Sequence, residues 1–197
     1  MIEPKIIKNL IPLELIKFLD IEFTMMRDCM KALNSESGFN DPTVENSFSW
    51  YSPICFESLS MYILPKIEEE IGEELYPSYS FGRIYYNGSE LKKHTDRKSS
   101  EITVSCCIRK DSNLNWPLYF EHNNKIYELN CDIGDGIIGC GNLDPHWRTR
   151  FSGTEHMQAF MQYVRKNGNF SHLKYDTRPY LASPYETTSD IIKNEYK

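Results

Sequence analysis

No two cysteines in this sequence have the C-x-x-C spacing that is typical of zinc ribbons. The six cysteines are scattered, except that Cys106 and Cys107 are adjacent in a strand-like run and would face opposite sides of a sheet. We expect these thiols to be reduced and mostly buried in a cytosolic protein. The sequence also lacks internal repeats and low-complexity tracts, which makes a repeat architecture improbable.

Long apolar runs are missing as well. No stretch approaches the roughly 20 apolar residues that a membrane span needs. Residues 1–10 carry charged side chains with no apolar run behind them, unlike a secretory signal peptide. The net charge of −6 disfavours a nucleic-acid backbone as the main partner. We therefore expect a cytoplasmic protein that binds neither membranes nor nucleic acids.

The composition that remains is ordinary for a soluble protein, with 40% apolar and 25% charged residues in a chain of 197. This length suits one domain with a sizeable core. We expect three parts within that domain: a helical support over residues 1–75, a catalytic core of strands over 76–165, and an irregular tail over 166–197.

Helical periodicity is confined to the first part. Residues 12–20 predict a short amphipathic helix with proline in its first turn, and residues 21–33 are ambiguous between helix and strand. Residues 34–50 are polar and predict a loop. Residues 56–75 predict a second helix, which Pro65 should bend or divide.

The second part is dominated by short runs rich in β-branched and aromatic residues. Turn signals separate them, such as Asn87-Gly88, Asp111-Ser112-Asn113 and Asn123-Asn124. Their close spacing predicts an antiparallel sandwich or barrel, and so a mainly β fold with flanking N-terminal helices. The predicted strands are 79–86, 101–109, 116–121, 125–129, 136–140 and 155–164.

A candidate metal site begins at His94 and Asp96. On a strand, residues two apart point to the same side, so this imidazole and this carboxylate can hold one ion together. His146 lies 52 positions later, at the end of another strand-like segment. Two imidazoles and one carboxylate on one face form the facial triad of non-haem Fe(II) oxygenases, which leaves coordination positions open.

The combined pattern resembles the Fe(II)/2-oxoglutarate-dependent dioxygenases, and within them the prolyl 4-hydroxylase-like branch that includes small phage and bacterial members. The resemblance covers roughly residues 76–165 in order and spacing. Its motifs are Arg83-x-Tyr85-x-x-Gly88-x-x-Leu91-x-x-His94-x-Asp96-Arg97, Glu101, Trp116-Pro117-Leu118, Gly134-Asp135, His146-Trp147-Arg148, Phe151, Gly153 and Gln158 through Tyr163.

The resemblance implies a double-stranded β-helix, or jelly roll, in which His94, Asp96 and His146 ligate Fe(II) and Tyr85 hydrogen-bonds 2-oxoglutarate. Many relatives place Lys or Arg about ten residues after the second histidine to bind the far carboxylate of 2-oxoglutarate. This sequence has His156 there. We favour Arg148 as the anchor, because it would share a face with His146, and we keep Arg150, His156 and Arg109 as alternatives.

For the other polar and aromatic residues, the sequence predicts less specific roles. Arg97 and Glu101 are expected to form a salt bridge with each other, or Arg97 to contact substrate. Trp116 and Trp147 are expected to pack or to line the cleft. His122 and His172 lie in polar stretches and are expected to be solvated.

The implied activity is hydroxylation of an unactivated C–H bond with dioxygen and 2-oxoglutarate, which releases succinate and CO2; a use of ascorbate is left open. Peptidyl proline is the first expectation for the substrate, and other protein side chains or small molecules remain alternatives. A zinc or manganese cupin-like metalloprotein and a non-catalytic jelly-roll binding module are the competing interpretations. The sequence does not determine an oligomeric state.

Overall fold

The computed structural model describes residues 2–39, 41–111 and 114–183. Two α-helices, α1 (Leu13–Ala32) and α2 (Ile54–Ile71), accompany ten strands. The strands are β1 (Lys5–Ile7), β2 (Ser47–Tyr51), β3 (Leu75–Tyr86), β4 (Leu91–His94), β5 (Ile102–Arg109), β6 (Leu118–His122), β7 (Lys125–Leu129), β8 (Gly136–Gly139), β9 (His146–Arg148) and β10 (Glu155–Arg165).

The strands form two sheets of antiparallel pairs. The larger has the order β1-β8-β5-β10-β3-β2, and the smaller has the order β4-β9-β6-β7. From β3 to β10 the chain alternates between the two sheets, except that β6 and β7 form a hairpin within the smaller one. This arrangement confirms the expected jelly-roll fold.

The two faces of the larger sheet pack against different apolar clusters. Cys106 belongs to a cluster with Phe23, Phe56 and other residues of the helices, whereas Cys107 packs with Tyr85 and Trp116 between the sheets. The two neighbouring cysteines therefore face opposite sides, as the strand period requires. All six cysteines are free.

The first helix is longer than the sequence predicted. Ile16, Leu19, Phe23 and Arg27 recur at three- and four-residue intervals and are all buried, so the ambiguous segment continues α1 to Ala32. The second helix is not divided at Pro65, because this proline is exposed and water can replace the hydrogen bond that it cannot donate. No helix in the described part of the chain combines the length and apolar character that a membrane crossing requires.

Several short elements escaped the sequence prediction. The segment predicted as a loop over 34–50 contains most of β2, and the three-residue strand β1 was not predicted. Strands at His94 and His146 were expected from the metal motif, but His146 begins β9 instead of ending a strand. The predicted turn at 111–113 and the tail lie partly outside the described residues, since Ser112, Asn113 and 184–197 are not among them.

The described part of the tail packs against the rest of the domain through buried polar residues. Asp176 is 1% exposed and Arg178 is 4% exposed, and Arg178 donates a hydrogen bond to Glu57 of α2 at 2.5 Å. Residues Tyr175, Asp176 and Thr177 all have left-handed backbone conformations, with φ of 54°, 56° and 62°. Such conformations cost energy in residues other than glycine, so the buried polar contacts hold this segment against the barrel.

Candidate metal centre and cleft

The three predicted metal ligands meet where β4 and β9 pair in the smaller sheet. His94 ends β4, His146 begins β9, and the two are paired directly across the ladder. Asp96 follows β4 and reaches between them, with Oδ1 at 3.5 Å from His94 Nε2 and 3.7 Å from His146 Nε2. One ligand atom from each residue lies within 4.8 Å of the other two. The three side chains can therefore share one ion.

Both histidines present the same nitrogen to the centre. His94 Nδ1 lies 2.8 Å from the Lys92 carbonyl, and His146 Nδ1 lies 3.0 Å from the Asp144 carbonyl. A carbonyl can only accept, so each Nδ1 carries a proton, and in the neutral imidazole each Nε2 has a free lone pair for an ion. Only the protonated form of His94 donates from Nε2 to Asp96. Hydrogen bonds of this kind fix the orientation and tautomer of metal-ligating histidines.

The electrostatic environment favours ligands ready to bind a cation. Burial opposes ionisation of Asp96, but the hydrogen bond from His94 and the charge of His146 outweigh it and lower the carboxyl pKa. Burial lowers the pKa of His146, and repulsion from His94 adds to this effect. For His94, burial acts in the same direction but the hydrogen bond with Asp96 raises the pKa overall.

The loop between β8 and β9 packs tightly on the carboxylate ligand. The Asp96 amide donates a hydrogen bond to the Gly141 carbonyl at 2.8 Å. A Cβ atom at Gly141 would lie 2.6 Å from Asp96 Oδ2 and would also collide with Thr103 Oγ1. Thr103 itself donates to Gln162 Oε1 at 2.7 Å, with Asp96 Oδ2 at 3.4 Å. Only glycine leaves room for the ligand at this position.

A cavity of about 610 Å³ opens onto the three ligands. Aromatic side chains of the larger sheet, Tyr79, Phe81 and Phe160, form one wall, and Thr103, Ser105 and Gln162 supply polar groups. Arg83 and Arg97 also border the cavity. Arg83 forms a salt bridge with Asp41, and Arg97 forms a bidentate one with Asp176 at 2.7 and 2.6 Å.

An enclosed cation lies two positions beyond His146, on the same face of β9. Arg148 is 2% exposed and its Nη1 donates to the Trp116 carbonyl at 2.5 Å, while its Cζ lies 4.7 Å from the Trp116 ring centroid. Its Nε and Nη2 are buried and have no hydrogen-bond partner among the described residues. Burial lowers the pKa of Arg148, although a guanidinium stays charged at neutral pH.

Two further buried polar side chains pack, like Arg148, against the ring of Trp116. Tyr85 is fully buried, packs edge-on against Trp116 with ring centroids 4.9 Å apart, and has a hydroxyl without a hydrogen bond of normal geometry. His156 accepts a hydrogen bond from the Gln158 amide at its Nε2 (2.6 Å), so its Nδ1 carries the proton. Burial lowers the pKa of His156 well below its usual value, and the charge of Arg148 adds to this.

The remaining cations proposed as anchors lie elsewhere. Arg109 is engaged on the helix side of the larger sheet by Asp20 at 3.1 Å and Glu155 at 2.8 Å. Arg150 is exposed beside Gly88 at the turn between β3 and β4. Of the four alternatives, the structure brings only Arg148 and His156 together with Tyr85.

A salt bridge between Arg97 and Glu101 and the solvation of His122 were wrong expectations. Arg97 binds Asp176, and Glu101, at the other end of a short 3-10 turn, binds Arg165 at 2.9 Å. The alternative, that Arg97 contacts the substrate, stays a prediction. His122 is not solvated, because it is 5% exposed and contacts Asp144. The periodicity of β6 contained a signal for this, since His122 follows the buried Leu118 and Phe120 at intervals of two.

Comparisons with known proteins find similar folds but no similar sequences. No protein-family model and no curated protein matches the sequence. Solved structures match at the level of the fold. A Pseudomonas putida prolyl-4-hydroxylase has a TM-score of 0.60 at 11% identity, over 82% of this chain and 92% of that one.

Two other matching structures contain bound ligands. HygX from Streptomyces hygroscopicus, with nickel and 2-oxoglutarate bound, has a TM-score of 0.59 at 9% identity, over 81% of this chain and 82% of that one. A Trichoplax adhaerens prolyl hydroxylase in complex with a hypoxia-inducible-factor peptide fragment has a TM-score of 0.61 at 11% identity, over 81% and 83%. The chain therefore has the fold of 2-oxoglutarate–Fe(II) oxygenases, and at these identities the likeness concerns the fold alone.

Proposed function

We propose that this protein is an Fe(II)- and 2-oxoglutarate-dependent oxygenase. The observation that carries the proposal is the pairing of an intact His-Asp-His site with a buried, incompletely bonded arginine two residues beyond the second histidine. The first feature can hold a divalent metal with open positions, and the second can bind a carboxylate. A zinc cupin or a binding module has no need of the second feature.

The donor set fits Fe(II). His94, Asp96 and His146 would hold the ion through two imidazole nitrogens and one carboxylate oxygen, which is the set found in non-haem iron oxygenases. When bound, Fe(II) and 2-oxoglutarate supply the oxidation of an unactivated C–H bond by dioxygen, with succinate and CO2 as co-products. The residues of the chain hold, orient and enclose the reactants, and none of them has to act as an acid or a base.

The free donors of Arg148 suit the far carboxylate of 2-oxoglutarate. The unpartnered Nε and Nη2 are the two donors that one carboxylate can accept side by side. The Tyr85 hydroxyl and the protonated Nδ1 of neutral His156 are available as further donors. We infer that Arg148 replaces the cation that many relatives place at the position of His156.

The charges around the site favour an uncharged target group. With a metal dication and the co-substrate dianion in place, the charges of Asp96 and Arg148 cancel. The two arginines at the border of the cavity are neutralised by Asp41 and Asp176, and the third cation of the lining, Lys92, is exposed to solvent. The wall that faces the remaining space is aromatic. A neutral ring held in a peptide suits such a cleft better than a phosphate or a free amino acid.

We therefore propose peptidyl proline as the substrate, in the cytosol, where the six free cysteines would remain reduced. The Trichoplax enzyme, which binds a peptide on the same fold, supports this choice by analogy only.

Two measurements test the proposal. Anaerobic addition of Fe(II) and 2-oxoglutarate should produce a weak visible charge-transfer band, and the Asp96→Asn variant should lack it. Succinate release should then exceed the uncoupled background with proline-containing peptides and not with their alanine counterparts. Tight Zn(II) binding without the band would favour the cupin interpretation, and release stimulated only by free amino acids or small molecules would refute the peptide substrate.

A further inference from the structure

A buried hydrogen-bonded pair, His122 and Asp144, lies next to the metal centre and has no part in the chemistry proposed above. Each residue is 5% exposed. His122 Nδ1 lies 3.0 Å from both carboxylate oxygens of Asp144, and the Asn123 amide donates to His122 Nε2 at 3.0 Å. These contacts make Nδ1 the donor to Asp144 and Nε2 an acceptor.

The same aspartate orients a metal ligand through its main chain. The Asp144 carbonyl accepts the hydrogen bond from His146 Nδ1 at 3.0 Å. The side chain of Asp144 thus binds β6 while its carbonyl sets the tautomer and the ring plane of His146. The contact is reinforced one residue later, where the Pro145 carbonyl accepts from the Glu121 amide at 2.8 Å.

The segment between β8 and β9 depends on such contacts because it belongs to neither strand. Its other fixed points are four backbone hydrogen bonds: from the Asn142 amide to Ser100, from the Leu143 and Asp144 amides to Cys140, and from the Asp96 amide to Gly141. None of these holds the plane of the Asp144 carbonyl from the side of β6. The pair with His122 is the side-chain contact that does so.

We propose that His122 and Asp144 are positioning residues for the metal ligand His146. The inference depends on the metal site of the proposed function, but not on 2-oxoglutarate or turnover. Groups that orient a ligating histidine typically contribute 10- to 100-fold to metal affinity. A pair that served only to fill the core would affect stability without this effect on the metal.

The test measures the affinity of the full-length protein for Zn(II) by competition with a chromophoric chelator, and the absorption spectrum of bound Co(II). His122→Phe keeps the ring volume and removes the donor, so we expect about 10- to 100-fold weaker binding and an altered Co(II) spectrum. His122→Asn places an amide donor where Nδ1 stands, and we expect affinity within about threefold of wild type.

Asp135→Asn is the matched control. Asp135 is a carboxylate of similar burial (3% exposed) that accepts hydrogen bonds from the Asn9 and Asp132 amides at a turn without metal ligands. We expect it to lower the melting temperature of the metal-free protein and to leave metal affinity unchanged. Metal affinity of His122→Phe equal to that of this control would overturn the proposal.

A milder variant keeps the test decisive if His122→Phe does not fold. Asn123 has a left-handed backbone (φ 51°), so Asn123→Gly preserves the turn and removes the donor to His122 Nε2. At least twofold weaker metal binding supports the proposal, and wild-type affinity overturns it. If the wild-type protein binds Zn(II) but shows no succinate release, the proposed function fails while this inference is still tested.

Discussion

Replacing Arg148 by methionine should weaken 2-oxoglutarate binding without weakening the fold. Most substitutions of a fully buried residue destabilise a protein. Here the residue is a cation with two unpartnered donors, and the nearby charged groups do not pair with it. A buried charge without a partner destabilises a folded protein by several kcal/mol. Methionine has a similar length and no charge, so the substitution removes this destabilisation.

The expected magnitudes follow from the contacts. The variant loses the hydrogen bond to Trp116, about 1 kcal/mol, and the stacking on its ring, about 1–2 kcal/mol. It gains about 3 kcal/mol from removal of the unpaired charge. The free energy of unfolding of the metal-free protein should therefore stay the same or rise slightly. Loss of a buried partner for a carboxylate costs about 2–5 kcal/mol, or roughly 30- to 5,000-fold in affinity for 2-oxoglutarate.

Urea unfolding of the metal-free protein and anaerobic titration of the Co(II)-loaded protein with 2-oxoglutarate measure the two effects separately. Arg109→Met is the control, because Arg109 is an arginine of the larger sheet whose carboxylate partners are already in place. We expect Arg109→Met to leave 2-oxoglutarate affinity unchanged. A destabilised Arg148→Met protein that binds 2-oxoglutarate within about threefold of wild type would show that Arg148 is a structural brace and would refute the reasoning.

Three further predictions concern the surroundings of the site. Gly141→Val should reduce Zn(II) affinity at least tenfold, measured by chelator competition, because its side chain collides with the carboxylate ligand. Asp176→Asn should lower the free energy of unfolding by about 1–3 kcal/mol in urea, because it weakens the bidentate bond with Arg97. The pKa of Asp41 is lowered because Arg83 outweighs the opposing effect of burial; its stabilisation is therefore complete above the ordinary value of 3.8 and is lost as pH falls through the lower folded-state value. The stability difference between wild type and Asp41→Asn should shrink correspondingly in acid.

Each of the three has a clear contrary outcome. Wild-type Zn(II) affinity in Gly141→Val would mean that the loop moves aside at no cost. Unchanged stability in Asp176→Asn would show that the tail segment is held by Arg178 alone. A difference for Asp41→Asn that is constant between neutral pH and pH 3 would show that its carboxylate charge does not stabilise the fold.

Local pattern was sufficient for much of the fold. The strand period of two predicted the six main strands to within a few residues, and it placed Cys106 and Cys107 on opposite faces. It gave no bounds for β4 and β9, which are only four and three residues long and were expected from the metal motif alone. β4 pairs with β9, and β9 also pairs with β6; local propensity does not report such pairing.

The same division applies to the metal site. The spacing of two placed His94 beside Asp96 and Arg148 on the face of His146, because side chains alternate along any strand. The sequence alone therefore indicated a metal site and a shortlist of cations for its co-substrate.

Only the tertiary structure showed which cation is enclosed and which residues support the ligands. Arg148 is buried without a carboxylate because the two sheets close over it, whereas Arg109 meets acidic groups on the helix side. Arg97 pairs with an aspartate 79 positions away, and His122 with one 22 positions away. Contacts of this kind depend on how distant segments are brought together by strand pairing across the barrel, and alternation along a single strand carries no information about them.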